Sequence, residues 1–335
     1  MMDFNTFRHV VKDNIREYMG EEYKDYCVTD VYANKINEFN KPGISITPNE
    51  SSKIKPTFYF EDLYWKYNNV HYGDIDSFMK EFADNAKSVL SESSIALDYL
   101  DEGFTDTRRI MPVLVNKESN KELLETCPHR DVGDMAVIYK YIIQNKPEGS
   151  ASLNITNGML NEYLKVSEEE LFVVANDNLK TYFNTKITNM SDMLIEMAVK
   201  DGMPREIAAS FFPETPGMYV CLNENLQFAA SAMLNDDIMN EAKVKIGGDF
   251  YILPSSIHEC ILVDKEMADN FGMGVDDLRN VVTEINANGV SEKERLSNNI
   301  YKYDFDKKQI MQVSNSPNIG IKDMDYKDPE RNITI

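Results

Sequence analysis

Ser255, Ser256, His258 and Glu259 follow Pro254 inside an otherwise apolar run, Phe250–Val263, with Cys260 directly after them. A hydroxyl nucleophile, an imidazole base and a carboxylate to orient it are the residue types of covalent hydrolysis. Their spacing works against joint action. On a strand Ser256 and His258 share a face while Glu259 points the other way. On a helix Ser255 lies beside His258, and Ser256 with Glu259 forms a capping box. The Gly-x-Ser-x-Gly elbow that exposes a nucleophile is missing. The structural alternative is a kinked strand or a tight connection between two strands. Pro254 cannot donate to a ladder, and the two serines bond the freed backbone groups of the bend. That reading accounts for every residue of the run except His258.

Other chemistry has weaker support. The four histidines, His9, His71, His129 and His258, form no ligand pair, and Cys127 with His129 beside Pro128 reads as a turn. Asp236-Asp237 and Asp276-Asp277 stand at expected helix starts, where carboxylates complement the dipole. Gly247-Gly248 and Gly272-Met273-Gly274 lack the residues of a phosphate loop. We therefore expect no cofactor and no metal. Tyr64, Trp65, Tyr67, His71 and Tyr72 form an aromatic cluster that reads either as a lid on the core or as a surface for a partner.

The elements that position these residues alternate between helical and strand patterns. Phe4, Phe7, Val11, Ile15 and Tyr18 make one helical stripe stopped by Gly20. Strands are expected around 26–32, 43–47 and 56–63, with Asn40-Lys41-Pro42 as a turn, and then a helix capped by Asp74. A Ser-rich, acidic crossing at 91–106 suggests a boundary, giving an N-terminal unit over 1–105 and a main unit over 106–313. In the main unit, Met135–Ile143 reads as a strand buried on both faces, paired with 151–155 across Pro147-Glu148-Gly149. Ser167 and Glu170 spell a capping box. The segment 190–216 is mixed and interrupted by prolines. Further on, 218–222 and 227–230 read as a hairpin, 232–246 as a helix, 278–285 as a helical stripe, and 300–305 with 309–313 as a hairpin. Residues 314–335 read as a flexible polar tail. The fold class expected is α+β, with antiparallel sheets and helices packed on one face in successive units.

Composition sets limits. With 335 residues, 42% of them hydrophobic, the chain can bury a sizeable core. A formal charge of −21 argues against nucleic acid and against anionic membrane surfaces as partners. The same acidity reads as a soluble surface or as a decoy for a basic partner; the carboxylates are interspersed with Lys and Arg, which favours the first. Cys27, Cys127, Cys221 and Cys260 are far apart in sequence and are expected as reduced thiols. No apolar run is long enough for a signal peptide or a membrane span, so a cytoplasmic setting is expected.

The strings Phe250–Glu259, Pro128-His129-Arg130 leading into Met135–Tyr139, and Pro56–Glu61 resemble the uncharacterised bacterial domain-of-unknown-function family 5688. The likeness spans most of residues 1–313 and departs at Cys260, where an aliphatic residue is expected. The resemblance implies a compact α+β architecture in the cytoplasm and implies no reaction.

The reading that follows is a non-enzymatic module that binds an unknown protein or small ligand. Its expected surface is Pro254, Ser255, Ser256 and His258 with Tyr64, Trp65 and Tyr67. The alternatives are a serine hydrolase using Ser255 or Ser256 with His258 and Glu259, and the acidic decoy.

Overall fold

The computed structural model describes residues 2–102, 104–146 and 149–313. The expected turn at 147–149 lies partly outside these residues, and the expected tail at 314–335 lies wholly outside them. The chain begins with α1 (Phe4–Met19), whose Phe7, Val11, Ile15 and Met19 are buried at helical spacing. Asp3 caps its start, and Gly20, at φ 99°, ends it. Strands β1 (Cys27–Lys35), β2 (Glu38–Thr47) and β3 (Thr57–Tyr59) form a three-stranded antiparallel sheet. Helix α2 (Phe60–Asn69) and the long α3 (Ile75–Asp101), capped by Asp74, cover it.

Three local expectations need correction here. Asn40-Lys41-Pro42 is part of β2; the turn is at Ile36-Asn37, and Lys41 is buried among Glu38, Glu61 and Asp62. The third strand ends at Tyr59, because Phe60, Leu63 and Tyr67 bury a helical stripe. The supposed crossing after Ser91 continues α3 through Asp101.

Next come β4 (Ile110–Asn116), α4 (Lys121–Thr126), β5 (Arg130–Val132), β6 (Met135–Lys146) and β7 (Gly149–Asn154). β6 is central, with β4 along one edge and β5 followed by β7 along the other. After the turn α5 (Asn157–Met159), α6 (Glu168–Thr181) opens on the expected capping box of Ser167 and Glu170. A six-stranded antiparallel sheet is completed by β8 (Lys186–Asn189), β9 (Met218–Leu222), β10 (Phe250–Leu253), β11 (Cys260–Asp264), β12 (Tyr301–Asp304) and β13 (Gln309–Gln312). Its order is β13-β12-β10-β11-β9-β8. Helices α7 (Met190–Lys200) and α8 (Arg205–Phe211) fill the β8–β9 connection. α9 (Asp236–Ile246), α10 (Lys265–Asn270) and α11 (Val275–Asn288) complete the α+β architecture. The expected strand at 227–230 does not form. Leu226 and Phe228 have φ of 54° and 56°, and a 3-10 turn follows over Ala229–Leu234.

The largest core lies between the β4–β7 and β8–β13 sheets and includes Tyr139, Tyr141, Ile252, Leu262 and Tyr301. A second core, within the first 86 residues, joins α1, α2 and α3 to their sheet. Gly133, at φ 62°, sits where a Cβ would lie 2.5 Å from Tyr301 Oη. Only glycine fits this turn between β5 and β6. The adjacent Asp134 accepts from Ser297, Asn299 and Tyr301 and ties the two sheets together.

Candidate functional site at the Pro254–Glu259 turn

Residues 254–259 connect two neighbouring antiparallel strands, β10 and β11. The backbone of the turn is paired with the segment that follows α11. Pro254 O accepts from Ser297 N–H at 3.0 Å, Ser255 O from Leu296 N–H at 2.9 Å, and Ile257 N–H donates to Glu294 O at 2.9 Å. Pro254, Ser255 and Ser256 are buried and present no surface to a ligand. Proline removes the donor that the strand would have to place, and the serines lie where the chain leaves the ladder.

The Ser256 hydroxyl has its partners inside the turn. Its Oγ accepts the His258 backbone N–H at 3.0 Å and hydrogen-bonds the Glu259 carboxyl. Burial pushes the Glu259 carboxyl up, and the Ser256 hydrogen bond opposes that rise. The His258 imidazole serves other partners. Nδ1 accepts the Phe228 backbone N–H at 3.4 Å, and Nε2 faces Glu294 Oε1 at 3.7 Å. An accepting Nδ1 fixes the neutral tautomer with its proton on Nε2. Burial lowers the imidazole's proton affinity, with Glu294 acting against it. Among the described residues, no hydrogen bond joins either serine hydroxyl to the imidazole, so the turn does not assemble the nucleophile–base pair of a hydrolase.

His258 thus has a structural task that the sequence left open. Its Nδ1 and its backbone C=O accept successive N–H groups, from Phe228 and Ala229, where the chain takes its left-handed step. The two rings lie 5.5 Å apart at 34°. A bulky residue at positive φ is strained and persists only where its surroundings hold it.

Lys140 also approaches Phe228, with Nζ 5.5 Å from the ring centroid and 2.7 Å from Asn154 Oδ1. Ammonium groups carry three donors, and no ion pair involves Lys140 among the described residues. The side chain keeps partial solvent contact, yet its ammonium is surrounded by protein, and that desolvation pushes it down to about 8. The Cys127 thiol lies close enough to oppose the shift, and burial pushes that thiol up in turn. An amine displaced this far, beside a strained aromatic and a neutral imidazole, is the strongest chemical signal near the turn. One clue to it lay in the sequence: Lys140 interrupts Met135–Ile143, a strand buried on both faces. Nothing local marks Phe228.

The aromatic candidates lie elsewhere. Tyr64 and Tyr67 pack with Phe7 in the N-terminal core, in which no residue of the turn takes part. Tyr67 is buried and receives the Met2 N–H on its hydroxyl, while Tyr64 donates to Met2 O. Trp65 points outward, 61% exposed. The buried Tyr67 therefore offers no binding surface. His71 meets Ser77 and Glu81.

Among the described residues, no group of His, Cys, Asp and Glu is arranged to hold a metal ion, and no helix is long and apolar enough to cross a membrane. The four cysteines are free. Cys221 and Cys260, distant in sequence, face each other across β9 and β11. Two carboxylates of the first 105 residues are matched by several cations: Glu38 and Asp62 share Lys41 and Lys293, and Lys35 also reaches Asp62.

No curated protein and no solved structure matches the chain. The model of one family covers residues 4–305, which include the turn, Phe228 and Lys140. The chain belongs to that family, described as a family of unknown function (DUF5688).

Proposed function

We propose that the protein is a non-enzymatic binding module that takes an anionic group of its ligand at Lys140, beside the Phe228–His258 pair. The carrying observation is the ammonium of a half-buried lysine, with one neutral acceptor and no carboxylate among the described residues, in a chain of formal charge −21. Leaving a cation unpaired and desolvated is costly, and a bound carboxylate or phosphate would offset that cost by restoring its charge. The turn at 254–259 supports this reading indirectly. It seats His258, which holds Phe228 against the amine. Tyr67, Pro254 and the two serines drop out of the binding surface because they are buried.

Calorimetric titration with acetate, succinate and inorganic phosphate at pH 8 tests the reading. Saturable binding with proton uptake is expected, because an anion raises the amine's proton affinity. Binding should weaken as pH rises above 8 and vanish in Lys140→Met. Heats that do not saturate, or binding that survives Lys140→Met, would refute the assignment.

A further inference from the structure

The β8–β9 connection leaves the edge of the six-stranded sheet and returns through two short helices. Adjacent antiparallel strands need only a tight turn, yet here the link spans 190–217. Helix α7 has the composition of a core helix, with Met193, Leu194, Ile195, Met197 and Val199, but Ser191 is its single buried residue. Helix α8 buries Ala208 alone. Met197, Ile207 and Phe211 remain 46%, 48% and 66% exposed. Ile207 and Phe211 stand one turn apart on the same side of α8. Met193, Leu194, Ile195 and Val199 are only half-buried against β8, β9 and α8, and an apolar two-helix surface left this open marks an interaction site.

Charge selects the occupant. Asp192, Asp201, Glu206 and Glu214 are exposed and carry no ion pair among the described residues. Of the local cations, Arg205 is already bound to Glu196, and Lys200 at the end of α7 offsets only one of these four carboxylates. A partner must therefore bring both an apolar face and its own cations. A second copy would bring the same carboxylates, and an anionic membrane would be repelled. Methionine side chains adapt to varied apolar surfaces, and a helix pair receives an amphipathic helix along its exposed apolar side.

We infer that the α7–α8 hairpin is a docking surface for a basic amphipathic helix of a partner protein. The surface is separate from the Lys140 site and does not depend on it.

The test uses the full chain and an 18-residue amphipathic Lys/Leu peptide, with a scrambled peptide of the same composition and a Glu/Leu counterpart. Fluorescence anisotropy should show saturable binding of the Lys/Leu peptide alone, with a gain of helical circular dichroism. Phe211→Asp and Ile207→Asp should each weaken it at least tenfold at an unchanged thermal midpoint. Both variants add negative charge, so attraction by charge alone would be strengthened by them. Equal binding of the scrambled peptide, or binding unchanged in both variants, would overturn the inference. Two further outcomes would overturn it in favour of another occupant. One is a Phe211-dependent dimer in sedimentation without peptide binding. The other is Phe211-dependent binding of phosphatidylglycerol vesicles without peptide binding.

Discussion

Asn37 and Asn120 hold each other reciprocally. Asn120 Oδ1 accepts the Asn37 backbone N–H at 2.8 Å, and Asn120 Nδ2 donates to Asn37 Oδ1 at 2.7 Å. Asn37 occupies the tip of the β1–β2 hairpin at φ 59°, a conformation asparagine tolerates better than most residues. Its own Nδ2 faces the carbonyls of Glu292, Lys293 and Arg295, the last at 2.7 Å. The turn at 254–257 pairs with this same segment from the other side. One carboxamide thus links the N-terminal sheet to the loop that supports the Pro254–Glu259 turn.

Asn37→Ala should therefore cost about 2–4 kcal/mol, from hydrogen bonds worth about 1 kcal/mol each and a left-handed backbone that alanine disfavours. Urea unfolding measures the loss. Hydrogen exchange should quicken at 35–38 and 292–297 before it changes in either core. A loss below about 0.5 kcal/mol, the scale of an ordinary surface substitution, would contradict the linking role.

Ser256→Ala tests the turn itself. The hydroxyl is buried between the His258 N–H and the Glu259 carboxyl, so its removal should cost about 1–3 kcal/mol. The pH dependence has a definite sign. Burial already places the Glu259 carboxyl above 4.5, so the folded state holds more protons than the unfolded one just above that pH. Stability consequently falls as pH rises through this window. Without the Ser256 hydrogen bond the carboxyl rises further, and the fall should steepen and extend to higher pH. A pH–stability profile parallel to that of the parent chain would show that Ser256 does not support the carboxylate.

Lys140→Met should stabilise the protein while removing the proposed ligand site. The folded amine lies at about 8 against an ordinary 10.5, so the folded state binds fewer protons between these values. Stability of the parent chain should rise with pH across that interval, and the desolvation penalty should be complete below pH 8. Methionine keeps similar length without the charge. After loss of the Asn154 hydrogen bond, a gain on the order of 1–2 kcal/mol is expected at pH 7. Destabilisation there would show that the ammonium is better satisfied than its single neutral acceptor indicates.

These residues also show where sequence reasoning reaches its limit. The first helix, the Ser167 capping box and the last hairpin were legible because their signals are local: a stripe, a cap, a polar turn between two runs. Phe60 and Leu63 were read as strand because aromatic and apolar residues favour strands, and Tyr67 as part of a separate aromatic cluster, although the three share a helical spacing. Phe228 looked like strand because side-chain type does not report a positive φ. Lys41 looked like part of a turn because the carboxylate partners that let it be buried come from α2 and from the first residue of β2. At the turn His258 and Glu259 lie in a bend rather than on a strand, so alternation does not place them, and the partner that explains His258 lies 30 residues away at Phe228. Lys140 was visible as a charge in an apolar strand, and its lack of a carboxylate is a tertiary fact.

The same limit governs the cysteines, and their reactivity gives the last prediction. Cys221 and Cys260 are direct cross-strand neighbours, both fully enclosed. The hydrogen bond with Cys221 and burial together raise the Cys260 thiol well above its ordinary range. Burial raises the Cys127 thiol as well. Thiolate is the reacting form, so these three positions should be inert in the folded chain, leaving Cys27 as the accessible thiol. With an aromatic disulfide reagent at pH 8, one thiol should react quickly and the other three only as the protein unfolds. Urea below the unfolding midpoint should speed the slow phase in proportion to the unfolded fraction. Cys260→Val should change stability by less than about 1.5 kcal/mol, because the pocket is apolar and the volumes are close. Two rapidly reacting thiols in the native chain would show that the β9–β11 pair opens locally, and a larger loss in Cys260→Val would show that the thiol pair contributes more than packing.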